Sequence, residues 1–337
     1  MSAPIQVAIN GFGRIGRKVL REILNKPNIK VVGINDLTSP ETIAHLFKYD
    51  SVHGALKENV KLSGSTFEVG NQSIQLTAEK DPSQLPWKKL GADIVLECTG
   101  IFTDKAKASL HLTAGARKVL ISAPSKDADL TICMGINQND YKPSSHSVIS
   151  NASCTTNCLA PVVKVLDDNF GVVHGLMTTV HAYTNDQNIL DLPHKDIRRA
   201  RAAALSQIPT TTGAAKAIGL VLPHLKGKLD GYSVRVPTPN VSLVDLTAVL
   251  SKNTTKEEVN QKFKAASESN LKGILGFSTE PLVSVDYNGN THSGTVDSML
   301  TAMIGNNLVK AVAWYDNESG FSARMVELAL HIAAAER

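Results

Sequence analysis

The chain has 337 residues, a length that favours two domains over one hydrophobic core. Hydrophobic residues make up 42% and charged residues 20% of the sequence, an ordinary composition for a globular protein. The net charge of +4 is mild, and most Lys and Arg residues are scattered, so no specific nucleic-acid partner is expected. The exception is a short basic cluster at 194–201, whose size suits a small anion.

The amino terminus leads directly into an apolar segment without the features of a secretory signal, and no apolar run approaches the roughly 18 residues that span a membrane. We therefore expect a cytoplasmic, reduced protein without membrane contact. In that setting the four cysteines are interpreted as thiols and not as a disulfide framework. Their spacing does not favour a zinc site, so no metal is expected. The remaining roles for the cysteines are packing and catalysis.

Strand-like and helix-like segments alternate in the first part of the chain. The strand-like runs lie at 5–9, 29–34, 94–96 and 118–121, and the helix-like runs lie at 16–25 and 103–114. Such alternation predicts a parallel sheet covered by helices. Residues 57–77 interrupt it with short alternating stretches and Gly turns, which predict a small antiparallel insertion.

The pattern changes after Cys154. A predicted helix at 155–168 is followed by longer strands rich in Val and Thr, at 176–181, 233–237 and 241–250, which indicate a second sheet. Between them, the polar and basic residues 182–206 form a loop whose length is typical of a functional segment.

The last predicted element is a helix at 319–335. Its apolar side chains recur at helical spacing and share one face, so we expect an amphipathic helix. These side chains are Phe321, Met325, Leu328 and Ile332.

A glycine-rich segment, NGFGRIG at 10–16, has the spacing of a dinucleotide-binding turn through Gly11, Gly13 and Gly16. It follows a predicted strand, opens a predicted helix, and precedes Asp36 at the end of the next strand by about 20 residues, which is the context that this motif requires. Glycines let the pyrophosphate approach the backbone at a helix start. The Asp36 carboxylate would accept hydrogen bonds from the adenosine ribose and repel a 2′-phosphate, so NAD is favoured over NADP.

Cys154 is the candidate nucleophile because it lies where a loop becomes a helix. Amides and the positive end of the helix dipole stabilise a thiolate there. Cys158, one turn further on, is interpreted as a small buried hydrophobe, as are Cys98 and Cys133 beside apolar strands.

A cysteine nucleophile needs a base, and His181 is the best candidate among the ten histidines. It ends a predicted strand where the chain enters the long loop, and side chains at such a position project into a cleft.

The chain resembles the phosphorylating glyceraldehyde-3-phosphate dehydrogenase family over essentially its whole length, and five segments carry the resemblance. They are INGFGRIGR at 9–17, SNASCTTNCLAP at 150–161, VHAYT at 180–184, TTGAAKA at 211–217 and WYDNE at 314–318. The cysteine segment is long and distinctive, and the loop at 185–201 is similar to the bacterial and plastid branch.

The resemblance implies an α/β subunit of a homotetramer. A Rossmann-type doubly wound parallel sheet would form a NAD-binding domain at 1–152, completed by the C-terminal helix 318–337. An α+β catalytic domain with a mainly antiparallel sheet would span 153–317 and include the loop at about 182–206.

The resemblance also implies the roles of individual residues. NAD would be contacted by the three glycines and by Arg14, Ile15, Asp36, Lys80, Ser122 and Asn317. Cys154 would be the nucleophile and His181 the base. Thr184 and Arg235 would hold the substrate phosphate. The attacking phosphate would be held by Ser153, Thr155, Thr212, Gly213 and one loop arginine, either Arg198 or Arg199.

The implied reaction converts D-glyceraldehyde 3-phosphate, NAD⁺ and inorganic phosphate to 1,3-bisphosphoglycerate through a hemithioacetal and a thioester on Cys154. Lys80 replaces the arginine of many bacterial members, and Ser319 and Phe321 depart from the larger or hydroxylated residues that are frequent in the family. Leu37 and the pair Leu192–Pro193 follow the NAD-preferring pattern.

Two other functions are compatible with the same residues. A sister enzyme would oxidise erythrose 4-phosphate without needing inorganic phosphate, although the set Thr155, Thr212 and Gly213 favours the phosphorylating reaction. A binding protein of the same fold would need no catalysis, although Cys154, His181 and Arg235 are all present.

Overall fold

The protein is described here by a computed structural model that covers residues 3–336. The chain divides into two compact units: the first contains residues 3–132, 138–152 and 322–336, and the second contains 133–137 and 153–321. Residues 1, 2 and 337 of the predicted domain spans lie outside the described residues.

The first unit contains two groups of strands. Their bounds are β1 Ile5–Asn10, β2 Ile29–Asn35, β3 Tyr49–Asp50, β4 Gly54–Ala55, β5 Val60–Ser63, β6 Thr66–Val69, β7 Gln72–Thr77, β8 Ile94–Glu97, β9 Lys118–Ile121, β10 Leu130–Thr131 and β11 Val148–Ser150. Its helices up to this point are α1 Arg14–Ile23, α2 Pro40–Lys48, α3 Trp87–Leu90, α4 Lys105–Ala108 and α5 Leu110–Thr113, with 3₁₀ turns at Pro82–Gln84 and Gln138–Asp140.

Nine of these strands form one sheet in the order β10-β11-β9-β8-β1-β2-β7-β6-β5, and β3 pairs with β4 separately. The pairings from β10 to β7 are parallel. From β1 the chain turns to β2 on one side and later to β8 on the other, which is the strand reversal that marks the ligand crevice of doubly wound sheets. The predicted Rossmann-type sheet is confirmed.

Apolar burial explains why these segments are strands and helices. In β1, Val7, Ala8 and Ile9 have no exposed surface, as expected for a central parallel strand covered on both faces. In α1, Val19, Leu20 and Ile23 recur at helical spacing and are also fully buried.

Two segments of the first unit differ from the sequence prediction. Strands β5 and β6 are antiparallel as predicted, but β7 also joins the main sheet because it pairs in parallel with β2. The predicted helix at 103–114 is split into α4 and α5. The Ser109 hydroxyl at the break donates to the Lys105 carbonyl over 2.7 Å, a local bond that competes with helix continuation.

The second unit has its own sheet. Its strands are β12 Val172–Ala182, β13 Ile208–Thr211, β14 Leu229–Val236, β15 Ser242–Leu250, β16 Leu275–Ser278, β17 Gly294–Asp297, β18 Ala302–Ile304 and β19 Leu308–Tyr315. Its helices are α6 Cys154–Phe170, α7 Ala214–Val221 and α8 Lys256–Glu268, with 3₁₀ turns at Pro223–Leu225 and Ser284–Tyr287.

This second sheet has the order β13-β14-β12-β15-β19-β17-β16, and β18 pairs with β19. Only the pairs β12–β14 and β16–β17 are parallel, so the predicted mainly antiparallel sheet is confirmed. The register places His181 opposite Arg235, and Ser242 opposite Tyr315. Strand pairing therefore brings together residues that are distant in sequence.

The last helix, α9, spans Ser319–Ala335, the predicted range. The predicted apolar face is buried, but so are Ser322 and Arg324 on other faces. The helix is thus buried over most of its surface, and its description as amphipathic was wrong. Among residues 3–336, no helix is both long enough and apolar enough to cross a membrane.

Candidate active site

The glycine-rich turn between β1 and α1 shows a different constraint at each glycine. Gly11 has a φ of +88°, and a Cβ there would lie 2.7 Å from the Thr99 amide nitrogen. A Cβ on Gly16 would lie 2.2 Å from the Gly11 carbonyl oxygen, so only glycine lets the helix pack against the turn. A Cβ on Gly13 would meet no atom within 4 Å, which leaves its outer side open to a ligand.

Asp36 lies directly after β2 and is held by backbone amides. Its carboxylate accepts hydrogen bonds from the Phe12 amide at 2.7 Å and from the Thr38 amide at 2.9 Å. Burial raises the pKa of this carboxyl, but the hydrogen bonds from Thr38 and Phe12 outweigh burial, so the pKa lies below its ordinary value. Asp36 is therefore ionised at neutral pH, as an acceptor for ribose hydroxyls must be.

The other predicted cofactor residues of the first unit follow the same edge of the parallel sheet. Lys80 is exposed beyond β7, Ser122 follows β9 directly, and Ile15 is half-buried in α1. The Arg14 guanidinium is paired with Asp50 at 2.7 Å. Asn317 lies in the second unit, where its side-chain oxygen accepts a bond from the Ser242 hydroxyl at 3.0 Å.

These residues fit a dinucleotide. Gly13 caps α1 without a side-chain hydrogen bond to the first turn, so the helix start offers amide donors to an anion. The open side of Gly13 and the ionised Asp36 supply space for a pyrophosphate and an acceptor for a ribose on one sheet edge.

In the second unit, Cys154 begins α6 beside His181. Ser153 caps the helix because its hydroxyl accepts the Thr156 amide at 3.0 Å. The Cys154 Sγ lies 3.5 Å from His181 Nε2, within reach for proton transfer. The predicted nucleophile and the predicted base are thus brought together.

The His181 ring is held by its other nitrogen, Nδ1, which lies 2.6 Å from the Ala182 carbonyl oxygen. A carbonyl only accepts, so this contact places the proton on Nδ1 and the lone pair on Nε2, facing the thiol. Burial and the charge of Arg235 lower the pKa of His181 to about 3, although the bond to Ala182 opposes them. The free side chain is a neutral imidazole.

Opposing influences act on Cys154. Burial raises the pKa of the thiol, while the charge of Arg235 and hydrogen bonds from Thr155 lower it. Burial prevails, so the pKa of the Cys154 thiol lies above its ordinary value and the lowering expected from the helix start was wrong for the free protein. His181 Nε2 is the adjacent acceptor, 3.5 Å from the sulfur, to which the thiol could pass its proton.

Arg235 contacts the base and one predicted substrate ligand. Its Nη1 donates to the Ala182 carbonyl at 3.1 Å and to the Thr184 hydroxyl at 3.2 Å. Its Nε is buried without a hydrogen-bond partner, a costly arrangement for a cation unless an anion binds. Arg235 and Thr184 are thus placed to hold a phosphate group.

The residues predicted to bind a second phosphate differ from one another in burial and in hydrogen bonding. Thr155 is buried and its hydroxyl bonds Tyr315 at 2.8 Å, whereas Gly213 caps α7 without a side-chain bond. The Thr212 hydroxyl accepts the Ala214 amide at 3.2 Å.

The two loop arginines differ in their surroundings. The Arg199 Nε donates to the Thr210 hydroxyl at 2.9 Å, and its Nη1 pairs with Asp186. Burial lowers the pKa of Arg235, and the positive charge of Arg199 lowers it further. Arg198 is exposed on the loop.

Tyr315 is a residue near the site that was not predicted from the sequence. Its ring packs edge-on against His181, with centroids 5.9 Å apart, and its hydroxyl lies between Thr155 and Thr179. Tyr315 stands in a segment that carried the family likeness, but its role depends on strand pairing, which no local pattern shows.

All four cysteines of the chain are free thiols. Cys133 and Cys158 are buried as predicted, and Cys158 bonds weakly to the Ala313 carbonyl in the second unit. Cys98 keeps some exposed surface, contrary to its interpretation as a core residue. Burial of its thiol still raises the pKa to about 12, which makes it a poor nucleophile.

Two family models match the chain. Residues 5–105 match the glyceraldehyde 3-phosphate dehydrogenase NAD binding domain, and residues 153–317 match the glyceraldehyde 3-phosphate dehydrogenase C-terminal domain.

Full-length relatives agree with the family models. The chain is 61% identical over 330 residues to a glyceraldehyde-3-phosphate dehydrogenase of Geobacillus stearothermophilus, covering 98% of each sequence. It is 61% identical over 330 residues to that of Priestia megaterium, again covering 98% of each. Identity to glyceraldehyde-3-phosphate dehydrogenase 1 of Bacillus subtilis is 59% over 329 residues, with 98% of each covered. The family models and these relatives confirm the resemblance: the chain belongs to the glyceraldehyde-3-phosphate dehydrogenase family.

Proposed function

We propose that the protein oxidises D-glyceraldehyde 3-phosphate with NAD⁺ and inorganic phosphate, and releases 1,3-bisphosphoglycerate. The observation that carries the proposal is the thiol of Cys154 at 3.5 Å from His181 Nε2, with Arg235 opposite His181 across two strands. A nucleophile, a base and a phosphate-binding cation therefore meet in one unit.

The first step forms a carbon–sulfur bond. His181 Nε2 takes the Cys154 proton as the sulfur attacks the aldehyde carbon, and the resulting imidazolium donates a proton to the hemithioacetal oxygen. The Cys154 amide at the helix start stabilises that oxygen. Substrate phosphate bound at Arg235 offsets the charge that lowers the pKa of His181, so binding strengthens the base.

The second step oxidises the hemithioacetal. His181 accepts the hydroxyl proton while hydride leaves the carbon, giving a thioester on Cys154. NAD⁺ supplies the hydride acceptor when it is bound. Inorganic phosphate then attacks the thioester carbon, the carbon–sulfur bond breaks, and the acyl phosphate leaves with Cys154 restored as a thiolate. The thioester retains oxidation energy that an oxygen ester would lose.

The two phosphates are assigned to different residues. Thr184 and Arg235 hold the substrate phosphate, since Arg235 has a buried nitrogen without a partner. Ser153, Thr155, Thr212 and Gly213 form the site for the attacking phosphate. Arg199 completes that site in preference to Arg198, because its charge acts on both Arg235 and His181.

The cofactor contacts are assigned to the glycine-rich turn and to the residues around it. Gly11, Gly13 and Gly16 admit the pyrophosphate, the helix start at Arg14 and Ile15 donates amides, and Asp36 accepts from the ribose. The remaining contacts come from Lys80, Ser122 and Asn317. Residues 3–152 with the C-terminal helix act as the NAD-binding domain, and residues 153–317 act as the catalytic domain.

A cytoplasmic homotetramer is the assembly that we propose. An exposed face of the second sheet supports it, because Leu176 on β12 is 69% exposed and borders a cavity of about 700 Å³ that is lined by β12, β14, β15 and β19. Light scattering should give four times the subunit mass. Leu176→Lys should lower that mass, whereas monomers in the unchanged protein would contradict the assembly.

The function is tested by following NADH formation from D-glyceraldehyde 3-phosphate with and without phosphate or arsenate. Turnover should require one of these anions, and Cys154→Ala should abolish it while NAD binding stays nearly unchanged. Strong phosphate-independent oxidation of erythrose 4-phosphate would favour the sister enzyme. Retained turnover in Cys154→Ala would contradict the mechanism.

A further inference from the structure

A buried carboxylate–imidazole pair lies below the glycine-rich turn and takes no part in the mechanism above. Glu97 ends β8 and is 1% exposed, and His111 in α5 is not exposed at all. The Glu97 Oε2 lies 2.9 Å from His111 Nε2. A buried carboxylate is costly unless donors surround it, so its neighbours determine what it does.

Four donors converge on the Glu97 carboxylate. Oε2 accepts from the Asn10 amide group at 2.6 Å and from His111 Nε2. Oε1 accepts from the Thr99 backbone amide at 2.8 Å and from the Thr99 hydroxyl. The Thr99 hydroxyl in turn accepts the Ile101 amide at 3.0 Å, so its own proton points to Glu97.

The His111 tautomer follows from Trp87. The indole Nε1 can only donate, and it lies 3.0 Å from His111 Nδ1. Nδ1 is therefore the acceptor, and Nε2 carries the proton that faces Glu97. The imidazole is thus held in place as a donor to the carboxylate.

The orientation of Asn10 is determined in the same way. The Glu79 backbone amide donates to Asn35 Oδ1 at 2.8 Å, which leaves the Asn35 amide group as donor to Asn10 Oδ1, also at 2.8 Å. The Asn10 amide group must then face Glu97. One chain of bonds therefore links Glu97 to the ends of β1 and β2.

Both ends of this network border the proposed dinucleotide site. Asn10 directly precedes Gly11, and the Thr99 backbone is the atom group that a Cβ on Gly11 would strike. Asn35 directly precedes Asp36. A shift of Thr99 or Asn10 would therefore change the turn that has to admit a pyrophosphate.

We propose that Glu97 and His111 are positioning residues for NAD, which hold the turns at Gly11 and Thr99 in the shape that admits the pyrophosphate. The inference rests on the proposed function only in naming NAD as the ligand. Neither side chain touches the reacting atoms, so cofactor affinity should change while the chemistry on Cys154 does not.

Glu97→Gln tests the carboxylate at constant shape. In its best orientation, the glutamine oxygen keeps the bonds from Asn10 and His111, but its amide group then faces the Thr99 amide, donor against donor. We expect the Kd for NAD⁺, measured by calorimetry, to rise about tenfold. The turnover number at saturating NAD⁺ and the KM values for aldehyde and phosphate should stay unchanged.

Asp93→Asn is the matched control. Asp93 stands just before the opposite end of β8, where it accepts the Gln6 amide at 3.1 Å and pairs with Arg117 at 2.8 Å. The substitution removes one carboxylate next to the same strand without touching the turn, so the Kd for NAD⁺ should not change. Thermal unfolding of both variants separates affinity from general stability.

A second pair of variants covers the case in which Glu97→Gln folds poorly. His111→Gln keeps a donor for Glu97 and an acceptor for Trp87, whereas His111→Leu removes both. We expect His111→Gln to bind NAD⁺ nearly as the unchanged protein does and His111→Leu to bind it about tenfold more weakly.

Equal NAD⁺ affinity in the unchanged protein, Glu97→Gln and His111→Leu would overturn the positioning role, even if the variants unfold at lower temperature. A rise in the aldehyde KM of Glu97→Gln equal to the rise in the Kd for NAD⁺ would also overturn it. Failure of the unchanged protein to bind NAD⁺ would instead refute the proposed function.

Discussion

The cofactor edge of the first unit and the thiol site of the second are built in different ways. At the cofactor edge, Gly11, Gly13 and Gly16 lie in one short turn, and the shape of this site depends on their backbone and on the space around it. The thiol site joins Cys154 on a helix to His181 and Arg235 on two strands. One site is local in sequence and the other depends on strand register.

This difference decides which substitutions each site tolerates. At the cofactor edge, a single added methyl group is either harmless to the fold or strongly destabilising, depending on which glycine receives it. At the thiol site, side-chain charge and hydrogen bonding matter most, because the strands already place His181 opposite Arg235. The following substitutions distinguish the effect of space around the glycine backbone from the effect of side-chain charge and hydrogen bonding.

The largest effect should come from Cys154→Ser. Serine keeps the shape but cannot form a thioester, so the turnover number should fall on the order of 10⁴-fold or more. NADH formation measures it. Cys158→Ser is the control, because Cys158 lies one turn further along α6 and is buried, with its thiol against the Ala313 carbonyl. A comparable loss of turnover in both variants would mean that packing, and not nucleophilicity, explains the effect.

The second and third glycines of the motif should respond in different ways. Gly16→Ala places a methyl group 2.2 Å from the Gly11 carbonyl and should lower the free energy of unfolding by about 3 kcal/mol. Gly13→Ala meets no atom within 4 Å, so it should fold normally and only weaken NAD⁺ binding, about tenfold. Urea unfolding and calorimetry measure the two quantities. Unchanged NAD⁺ affinity in Gly13→Ala would show that the pyrophosphate does not approach there.

Arg235→Leu should affect the phosphorylated substrate far more than its unphosphorylated analogue. Loss of charge-assisted bonds to a phosphate should raise the KM for D-glyceraldehyde 3-phosphate about 100-fold. The KM for D-glyceraldehyde should change little. Steady-state kinetics with both aldehydes checks this, and an equal loss for both would assign Arg235 to His181 alone.

His181 should make the protein less stable in mild acid. The unfolded chain takes up a proton near pH 6.5, whereas burial and Arg235 keep the folded imidazole neutral down to a pKa of about 3. The unfolded state binds more protons between these values, so stability falls as pH decreases from 6.5 towards 3. At pH 5 the loss should be about 2 kcal/mol.

His181→Asn should remove this acid loss, as measured by urea unfolding at pH 7 and pH 5. His174→Asn is the control, because His174 is an exposed histidine on the same strand and should leave the loss in place. An acid loss that persists in His181→Asn would exclude His181 as its origin.

The sequence predicted most of the elements and both sheets. The strands around the glycine motif have strong apolar runs, and α6 begins at Cys154 where Ser153 supplies a cap. Such signals are local, so they can be read without a structure. The roles of the individual site residues stay predictions until the variants above are measured.

Long-range contacts could not be predicted from local patterns. Tyr315 reaches His181, and Glu97 reaches Asn10, through the order and register of strands, while His111 reaches Glu97 through the packing of helix α5. The break at Ser109 and the burial of Arg324 on α9 were also not predicted from the sequence, because a side-chain hydrogen bond and tertiary packing override helical periodicity.

In the proposed mechanism, oxidation leaves the substrate as a thioester on Cys154 until phosphate arrives. Mass spectrometry of the protein after incubation with D-glyceraldehyde 3-phosphate and NAD⁺, without phosphate, would detect this thioester. We expect an acyl adduct on the peptide that contains Cys154, and its disappearance when phosphate is added. NADH formation without such an adduct, or an adduct that phosphate does not discharge, would contradict thioester formation on Cys154.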